Sequence, residues 1–289
     1  MENILRPVYQ ERASHPNTVG IIIIEKKLHA FPVTDSFDTI LLVIVKEMEE
    51  PLMIKHYDHE GRIASLYTVT EAMLKEWLFL GSNRKFVEWI LKGKVIFDRN
   101  EYISNLKKEL EEFPQEERDI KKGIEFGKLI RRYQDGKAFF NIGHYLDAYN
   151  NIVHALHHLA RLAIIENGLH PEVTVWNQVK QFDPEIYKLY EELVESEESL
   201  SKRLELLFLA SEFLINTRAK QGGRHLLEVL AERSESWLFG EILDHPKLKV
   251  YSVDLELMVE FLVEKQLIHV EKVLTKGKDL YHRNYSVSL

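Results

Sequence analysis

Two short apolar runs near the amino terminus limit the fold of this chain more than any other feature. They read VGIIII over residues 19–24 and TILLVIV over residues 39–45, and both consist largely of β-branched residues without polar alternation. Runs of this length and composition are typical of strands that are covered on both faces. They therefore predict the centre of a sheet, which neighbouring segments must cover.

The segments around these runs complete a pattern of strands and helices. PLMIKHY and RIASLYTV flank the turn-rich DHEG and predict a hairpin of less buried strands. Helices are predicted at the amino terminus, after the N-cap residue Thr70, and before Gly93, which is followed by the short strand KVIFD. We expect this domain to occupy residues 1–115 and to hold a mixed sheet with helices.

From residue 116 onward the strand patterns stop and the apolar residues follow helical spacing. Four segments carry this spacing, with Gly136, Gly168 and Pro184 as interruptions, so residues 116–218 are predicted to form an all-α domain. Residues 219–289 then show three helical segments and two alternating strands around Gly277. This is the order of a winged helix-turn-helix, and the predicted fold class is α+β with several domains.

The composition excludes several classes of function. The 289-residue chain has no cysteine, which rules out a disulfide framework, a thiol nucleophile and cysteine-ligated metal sites. The net charge of −8 opposes non-specific binding to nucleic acid, although a local basic patch could still bind it. No apolar stretch approaches the length that crosses a bilayer, and no export signal is evident. We expect a cytoplasmic protein without a membrane partner.

The amino-terminal run VGIIIIEKKLHAFPVTDSFDTILLVIV has a strand, a loop and a second strand with acidic residues at its start, which is the arrangement of the nucleotidyltransferase fold. The sequence resembles the bacterial nucleotidyltransferase-like family that joins such a domain to a helical domain and a winged helix. The resemblance spans essentially the whole chain. Its strongest carriers are PNTVGIIIIEKK, GKVIFDRNEY, YLDAYNNIVHALHHLARL, HPEVTVWNQV, RLELLFLASEFL and TKGKDLYHRNY. It implies that the helical domain resembles a substrate-binding domain.

The motif that active nucleotidyltransferases use is incomplete here. Those enzymes need a Gly-Ser turn after the first strand and two carboxylates one residue apart to hold Mg²⁺. Glu25 and Lys26 stand at the turn, and the second motif reads Ser36, Phe37, Asp38. The resemblance implies Lys26, Ser36 and Asp38 as candidate metal and nucleotide contacts, with Mg²⁺ and a nucleotide held only weakly. Asp38 could instead be a turn residue at the start of the strand.

Two further aspartates belong to the same region of the pattern. Asp35 precedes Asp38 by three residues, so on a regular strand it would point to the opposite face. Asp98, in VIFDR, matches the motif that closes the family's sheet domain, and a structural role is expected for it. Neither residue restores the missing carboxylate pair.

A stripe of short polar side chains marks one predicted helix. Its members are Asp147, Asn151, His154, His158 and Arg161, widened by Asn150 and His157. Their spacing puts them on one face, opposite an apolar face. Solvent-facing stripes normally carry Lys and Glu, whereas imidazoles and amides suit a pocket wall. Three interpretations stay open: a polar contact between helices or in a homodimer, the wall of a ligand pocket, and a metal pair at His154 and His158.

The carboxyl-terminal hairpin is locally basic. Its candidate nucleic-acid contacts are Lys272, Lys276, Lys278 and Arg283. The preceding segment DLELMVEFLVEKQ, where a recognition helix is expected, carries four carboxylates and one lysine. Because those carboxylates would repel DNA, the winged helix could contact either nucleic acid or protein.

Three functional hypotheses follow from these patterns. The first is a regulatory pseudoenzyme that binds a nucleotide or another small ligand in a cleft between its sheet and helical domains. The second is an active nucleotidyltransferase that transfers a nucleoside monophosphate, which rests on fold resemblance alone. The third is a winged-helix DNA-binding regulator whose other domains act as a sensor. The incomplete metal motif favours the first.

Overall fold

The computed structural model describes residues 2–26, 31–81, 83–277 and 279–287. The chain divides into two compact units. The first unit contains the chain up to Pro114 together with Leu169–Thr174, and the second contains Gln115–Gly168 and Val175–Leu289. None of the helices described is long and apolar enough to cross a membrane.

The first unit is a sheet covered by helices. Its elements are α1 (Glu2–Ser14), β1 (Thr18–Glu25), α2 (Phe31–Thr34), β2 (Thr39–Val45), β3 (Leu52–His59), β4 (Arg62–Thr70), α3 (Glu71–Leu80), α4 (Arg84–Lys92), β5 (Lys94–Asp98) and α5 (Tyr102–Glu112). The strand order is β3-β4-β2-β1-β5. Strands β2 and β4 run parallel, and the other neighbours are antiparallel. The mixed sheet confirms the predicted class.

The two apolar runs form the centre of this sheet, as predicted. Every residue of β2 is buried, and successive residues point to opposite faces. On one face Leu42 and Ile44 join a core with Phe86 and Trp89, and on the other Leu41 joins a separate cluster. The side chain of Thr70 accepts a hydrogen bond from Met73 N and caps α3, also as predicted.

One expectation about the sheet was wrong. The hairpin strands were predicted to be less buried, and this holds for β3, which lies at the sheet edge. Strand β4 is mostly buried because it is inserted between β3 and β2. The parallel pairing of β2 with β4 could not be anticipated from a hairpin pattern, which specifies only the antiparallel partner.

The second unit combines long helices with a small sheet. Its elements are α6 (Gln115–Asn141), α7 (Tyr145–Glu166), α8 (Val175–Phe182), α9 (Pro184–Glu195), α10 (Leu200–Gly222), α11 (Arg224–Leu230), β6 (Trp237–Leu238), α12 (Phe239–Asp244), α13 (Leu255–Glu264), β7 (His269–Leu274) and β8 (Tyr281–Ser286). The sheet order is β6-β8-β7. Three helices and a hairpin appear in the predicted order, whereas the two-residue β6 and the 3-10 segment Pro246–Asp254 were not predicted.

Gly136 does not end a helix, contrary to the sequence reading. Helix α6 continues to Asn141, and a Cβ at Gly136 would press against Asn151 and the Phe208 ring. The glycine is therefore explained by close helix packing, which sequence spacing alone cannot distinguish from a break.

The winged helix shares its core with the long helices. Gly123 of α6 lies against the Tyr251 ring, Gly127 lies beside Asp254 and Met258, and Gly222 lies against Phe126. Helix α10 itself continues to Gly222, past the point where the helical domain was expected to end. Residues from both predicted segments thus build one compact unit.

Candidate functional site

The start of β2 holds the carboxylate that could bind a metal ion. Asp38 Oδ2 accepts a hydrogen bond from Ile63 N at 2.9 Å, and Asp38 N donates to Ile63 O at 2.9 Å. The carbonyl of Asp38 accepts from Lys26 N at 2.8 Å. Asp38 therefore connects the ends of β1, β2 and β4 by hydrogen bonds. One oxygen of its carboxylate is occupied by a backbone amide.

The neighbouring candidates do not complete a metal site. Asp35 has a φ of 52°, follows the short helix α2 and forms an ion pair with Lys85 of α4. Ser36 is exposed. Mg²⁺ usually binds in near-octahedral geometry through one or two carboxylates together with water and phosphate oxygens. With Asp35 paired to Lys85, the strand end offers the carboxylate of Asp38, one oxygen of which already accepts from Ile63 N. Among all described residues, no group of three or more His, Asp or Glu side chains could hold a metal ion.

A cavity of about 490 Å³ opens at the end of β1. Its lining includes Glu2, Glu25, Lys26, Thr34, Glu88, Lys92 and Lys94. The Lys94 ammonium lies 2.8 Å from Glu2, which raises the lysine pKa, and the Lys92 ammonium lies 3.0 Å from Glu172. Burial opposes the charge of Lys92, but Glu172 and Glu88 outweigh it and raise its pKa. These two cations are therefore neutralised by carboxylates of the same unit.

Asp98 has the structural role expected of it. Its Oδ1 accepts from Ile103 N at 2.7 Å, and its Oδ2 accepts from Ser104 N and Ser104 Oγ at 3.1 and 2.7 Å. These bonds satisfy amides in the first turn of α5, which otherwise lack partners within the helix.

The polar stripe on α7 divides into residues that serve packing and residues that do not. Asn151 is buried, donates to the carbonyl of Asp147 at 2.9 Å and accepts from Arg132 at 3.3 Å. His157 Nδ1 contacts the Val153 carbonyl at 3.0 Å and its Nε2 accepts from Trp176 Nε1 at 3.0 Å. These contacts fix the neutral Nδ1–H tautomer, and burial lowers the His157 pKa. Both side chains link helices of the second unit.

Three other side chains form a charged cluster between α6 and α7. His158 Nδ1 lies 2.6 Å from Glu125 Oε2, and an Arg161 terminal nitrogen lies 3.6 Å from the same oxygen. Burial disfavours the charge of Glu125, but the His158 hydrogen bond and the charges of His158 and Arg161 hold the Glu125 pKa below its usual value. All three side chains are largely buried.

The winged helix carries charges of both signs. Glu256, Glu260 and Glu264 follow one another at four-residue spacing along α13. Glu260 accepts from Arg283 at 2.8 Å and from the Tyr285 hydroxyl at 3.1 Å, so the wing arginine neutralises a carboxylate of its own domain.

Two other wing assignments also change. Asp254 was grouped with the recognition helix, but it precedes α13 and pairs with Arg131 of α6. Lys272 and Lys276 are exposed, whereas Lys278 lies outside the described residues.

Comparisons with known proteins agree with this architecture. Family models match three successive parts of the chain: nucleotidyltransferase-like over residues 1–118, YgxA-like substrate binding domain over residues 119–218, and helix-turn-helix domain over residues 224–287. The uncharacterized protein YgxA of Bacillus subtilis is 55% identical over 286 residues, which cover 99% of this chain and 97% of that protein. The chain belongs to this nucleotidyltransferase-like family. The resemblance and the order of the three parts are confirmed.

A solved member of the nucleotidyltransferase-like family has the same fold along its whole length. The crystal structure of a nucleotidyltransferase-like protein from Exiguobacterium sibiricum matches with a TM-score of 0.82 and 42% identity, covering 100% of both chains.

The sequence analysis did not identify the charged residues of α6 that lie beside the polar stripe of α7. Glu125, Lys128 and Arg132 occur at i, i+3 and i+7 within a segment that was read only for its apolar spacing. This charged spacing was visible in the sequence, but its relation to α7 appears only when the two helices pack together.

Proposed function

We propose that this chain is a ligand-binding regulatory protein on a nucleotidyltransferase-like scaffold and does not transfer nucleotides. The observation that carries the proposal is the hydrogen bond from Ile63 N to Asp38 Oδ2, together with the pairing of Asp35 with Lys85. Nucleotidyl transfer needs carboxylates that hold metal ions against the reacting phosphates. Here the strand-end aspartates stabilise the strand end instead.

The phosphate side of the site supports the same proposal. Glu25 stands where a Gly-Ser turn would present backbone amides to a triphosphate, and its carboxylate would repel one. The nearby ammonium groups of Lys92 and Lys94 are neutralised by Glu172 and Glu2. A triphosphate would have to displace both ion pairs before these lysines could stabilise developing charge.

A regulatory role is supported by the way the winged helix is built into the second unit. The helical part matches a domain described as substrate-binding, and its helix α6 packs directly on the segment that leads into α13. A ligand on the long helices would therefore act on elements that contact the winged helix.

The test is pyrophosphate release by the full-length chain. Each of the four ribonucleoside triphosphates is supplied with Mg²⁺ or Mn²⁺, and wild type is compared with Asp38→Asn and with Asp58→Asn, which changes an exposed aspartate of β3. We expect no release above the buffer value in any of the three. Sustained release by wild type and Asp58→Asn that disappears in folded Asp38→Asn would overturn the proposal.

A second candidate function, DNA binding, is favoured by the helix-turn-helix match and the exposed Lys272 and Lys276. The carboxylates of α13 oppose it, because they would approach the phosphates most closely in a groove. We expect no sequence-selective duplex binding by the full-length chain at physiological salt. Selection of one duplex from a random pool, weakened when both lysines are replaced by Gln, would establish this second function.

A further inference from the structure

Helices α6 and α7 bring several cationic side chains to one surface. The group comprises Lys128 and Arg132 of α6 and His154, His158 and Arg161 of α7, with the carboxylate Glu125 among them. The group contains three permanent cations and one carboxylate, so it is positive even when both histidines are neutral. The exposed Asp147 lies on the same stripe, nearer the start of α7. We call it the α6/α7 cationic face.

Arg161 lacks acceptors for its donors. Its side chain is only 14% exposed, and its Nε is buried without a hydrogen-bond partner among the described residues. The 3.4 Å contact with His158 Nδ1 cannot be a hydrogen bond when that nitrogen donates to Glu125. What remains is Glu125 Oε2 at 3.6 Å, beyond ordinary hydrogen-bond distance. Among the described residues, the buried Nε of Arg161 thus has no acceptor, and the ion pair of its terminal nitrogen with Glu125 is a long one.

Two neighbouring side chains also have few hydrogen bonds to the described residues. The hydrogen bond described for Arg132 is a long one, 3.3 Å to the amide oxygen of Asn151. No hydrogen bond or ion pair of the His154 ring is found among the described residues. Burial, followed by the charges of Arg132, His158 and Arg161, lowers the His154 pKa. Arg132, His158 and Arg161 therefore lie close enough to His154 to oppose its protonation.

Carboxylates lie closer to two other arginines of the second unit than to Arg161. Arg218 lies 3.2 Å from Glu166 and 3.5 Å from Asp183, although it is nearly as buried as Arg161. On α6 itself, Arg131 pairs with Asp254. Because buried charges are normally paired closely, the long ion pair and the unpartnered Nε of Arg161 leave it able to bind a further anion.

We propose that the α6/α7 cationic face binds the phosphate group of a small phosphate monoester, with Arg161 and Arg132 as the main donors and His154 at the rim. A dianionic monoester matches the excess of two permanent positive charges and offers three oxygens to donors from two helices. The inference rests on the proposed function in one respect, namely that the ligand is bound and not turned over.

Titration calorimetry on the full-length chain tests this with inorganic phosphate, AMP and adenosine as probes. We expect phosphate and AMP to bind and adenosine not to bind. Arg132→Gln and Arg161→Gln should each weaken AMP binding about tenfold, the usual loss for one charge-assisted hydrogen bond. The control is Lys188→Gln, which removes an exposed lysine of α9 and should change affinity less than about twofold.

A second readout does not depend on the buried arginine. In histidine NMR spectra, AMP should shift the His154 ring signals and raise the His154 pKa, and His154→Asn should weaken binding. If Arg161→Gln fails to fold, Arg132→Gln and His154→Asn test whether AMP binds at the α6/α7 cationic face. Absence of binding at about 10 mM phosphate and AMP, equal binding of adenosine and AMP, or equal weakening in Lys188→Gln would overturn the inference. None of these results alters the pyrophosphate test, which judges the proposed function separately.

Discussion

The strand end of the first unit and the α6/α7 cationic face of the second unit treat their charged residues in opposite ways. At the strand end, Asp38 accepts from Ile63 N and Asp35 pairs with Lys85. On the cationic face, Arg161 and His154 find few acceptors. Charged groups that the chain itself satisfies contribute to folding, whereas those it leaves unsatisfied are available to a ligand.

This comparison assigns different consequences to similar substitutions. Removing a satisfied polar group should lower the free energy of unfolding and leave phosphate binding unchanged in the molecules that remain folded. Removing a poorly satisfied cation should weaken phosphate binding and change the free energy of unfolding little. The predictions below are ordered by the expected change in stability.

The largest effect is expected within α7, at His157→Ala. The substitution removes a half-buried ring that packs on Trp176 and Tyr190, and it leaves the indole N–H of Trp176 without its acceptor. The cavity and the unsatisfied donor together should lower the free energy of unfolding by about 3 kcal/mol. Denaturant unfolding measures this, with His154→Ala as the neighbouring control, which should cost under about 1 kcal/mol. Equal losses at the two histidines would contradict the division of the stripe.

The same histidine makes stability depend on pH. Because folding lowers the His157 pKa, the unfolded chain binds more protons between the folded pKa and the unfolded value of about 6.5. Its contribution is therefore fully present above about pH 6.5 and is lost as pH falls below it. His157→Phe should therefore reduce the change in the free energy of unfolding between neutral and mildly acidic pH. Part of that pH dependence should remain, because burial also lowers the pKa values of His154 and His225.

Asp38→Ala should follow, with a loss of about 2 kcal/mol. The part-buried amide of Ile63 loses a charged acceptor, and bonds of this kind contribute about 1.5 to 3 kcal/mol. Asp58→Ala, at an exposed position of β3, should change the unfolding free energy by less than about 0.5 kcal/mol. If Asp38→Ala is as harmless as the control, Asp38 does not serve the strand end, and a metal-binding role regains support.

The sharpest comparison within one unit is Arg161→Met against Arg218→Met. The two side chains have similar exposure, 14% and 18%, but Arg218 has two carboxylates within 3.5 Å. Arg218→Met should cost about 1.5 kcal/mol, since Glu166 and Asp183 lose their partner. Arg161→Met should cost less than about 1 kcal/mol, because it removes a poorly satisfied charge. Thermal and denaturant unfolding measure both losses. A larger loss for Arg161→Met than for Arg218→Met would show that Arg161 is well paired within the chain.

The smallest effect is expected at the wing. Arg283 and Glu260 are exposed to 44% and 40%, and exposed ion pairs contribute about 0.2 to 1 kcal/mol. Arg283→Gln should therefore lower the unfolding free energy by less than about 1 kcal/mol, and added salt should shrink the difference. A loss that persists undiminished at about 1 M NaCl would show that the pair is not a screened surface contact.

The apolar patterns of the sequence were sufficient to predict the main helices and strands. Continuous β-branched runs identified β1 and β2, and the change from strand to helical spacing located the long helices of the second unit. The parallel partner of β2 and the two-residue β6 could not be predicted, because neither has a local signal. Gly136 was misread because a glycine that ends a helix and one that admits a neighbouring side chain look alike in sequence.

The candidate site could be predicted only in part. The incomplete acidic motif was visible around Asp38, but which atom accepts from the backbone depends on the pairing of β2 with β4. The stripe on α7 was found by spacing, yet only tertiary contacts separate His157, which binds Trp176, from His154, which does not. Partners from α6, such as Glu125 and Arg132, lie about 20 to 30 residues earlier and carry no signal that links them to α7.

Helix α6 places its two sets of contacts on different sides of one continuous helix. Glu125, Lys128 and Arg132 belong to the cationic face, while Gly123, Gly127 and Arg131 meet the winged helix. Each residue of an α-helix turns the next by about 100°. Because the two sets alternate along the sequence, a single insertion or deletion between these residues would rotate part of each set away from its partners, even if every side chain were kept. Adding seven residues, about two full turns, would nearly restore the angle but would move the contacts by about 10 Å along the helix axis, so the spacing of this segment is constrained independently of its composition.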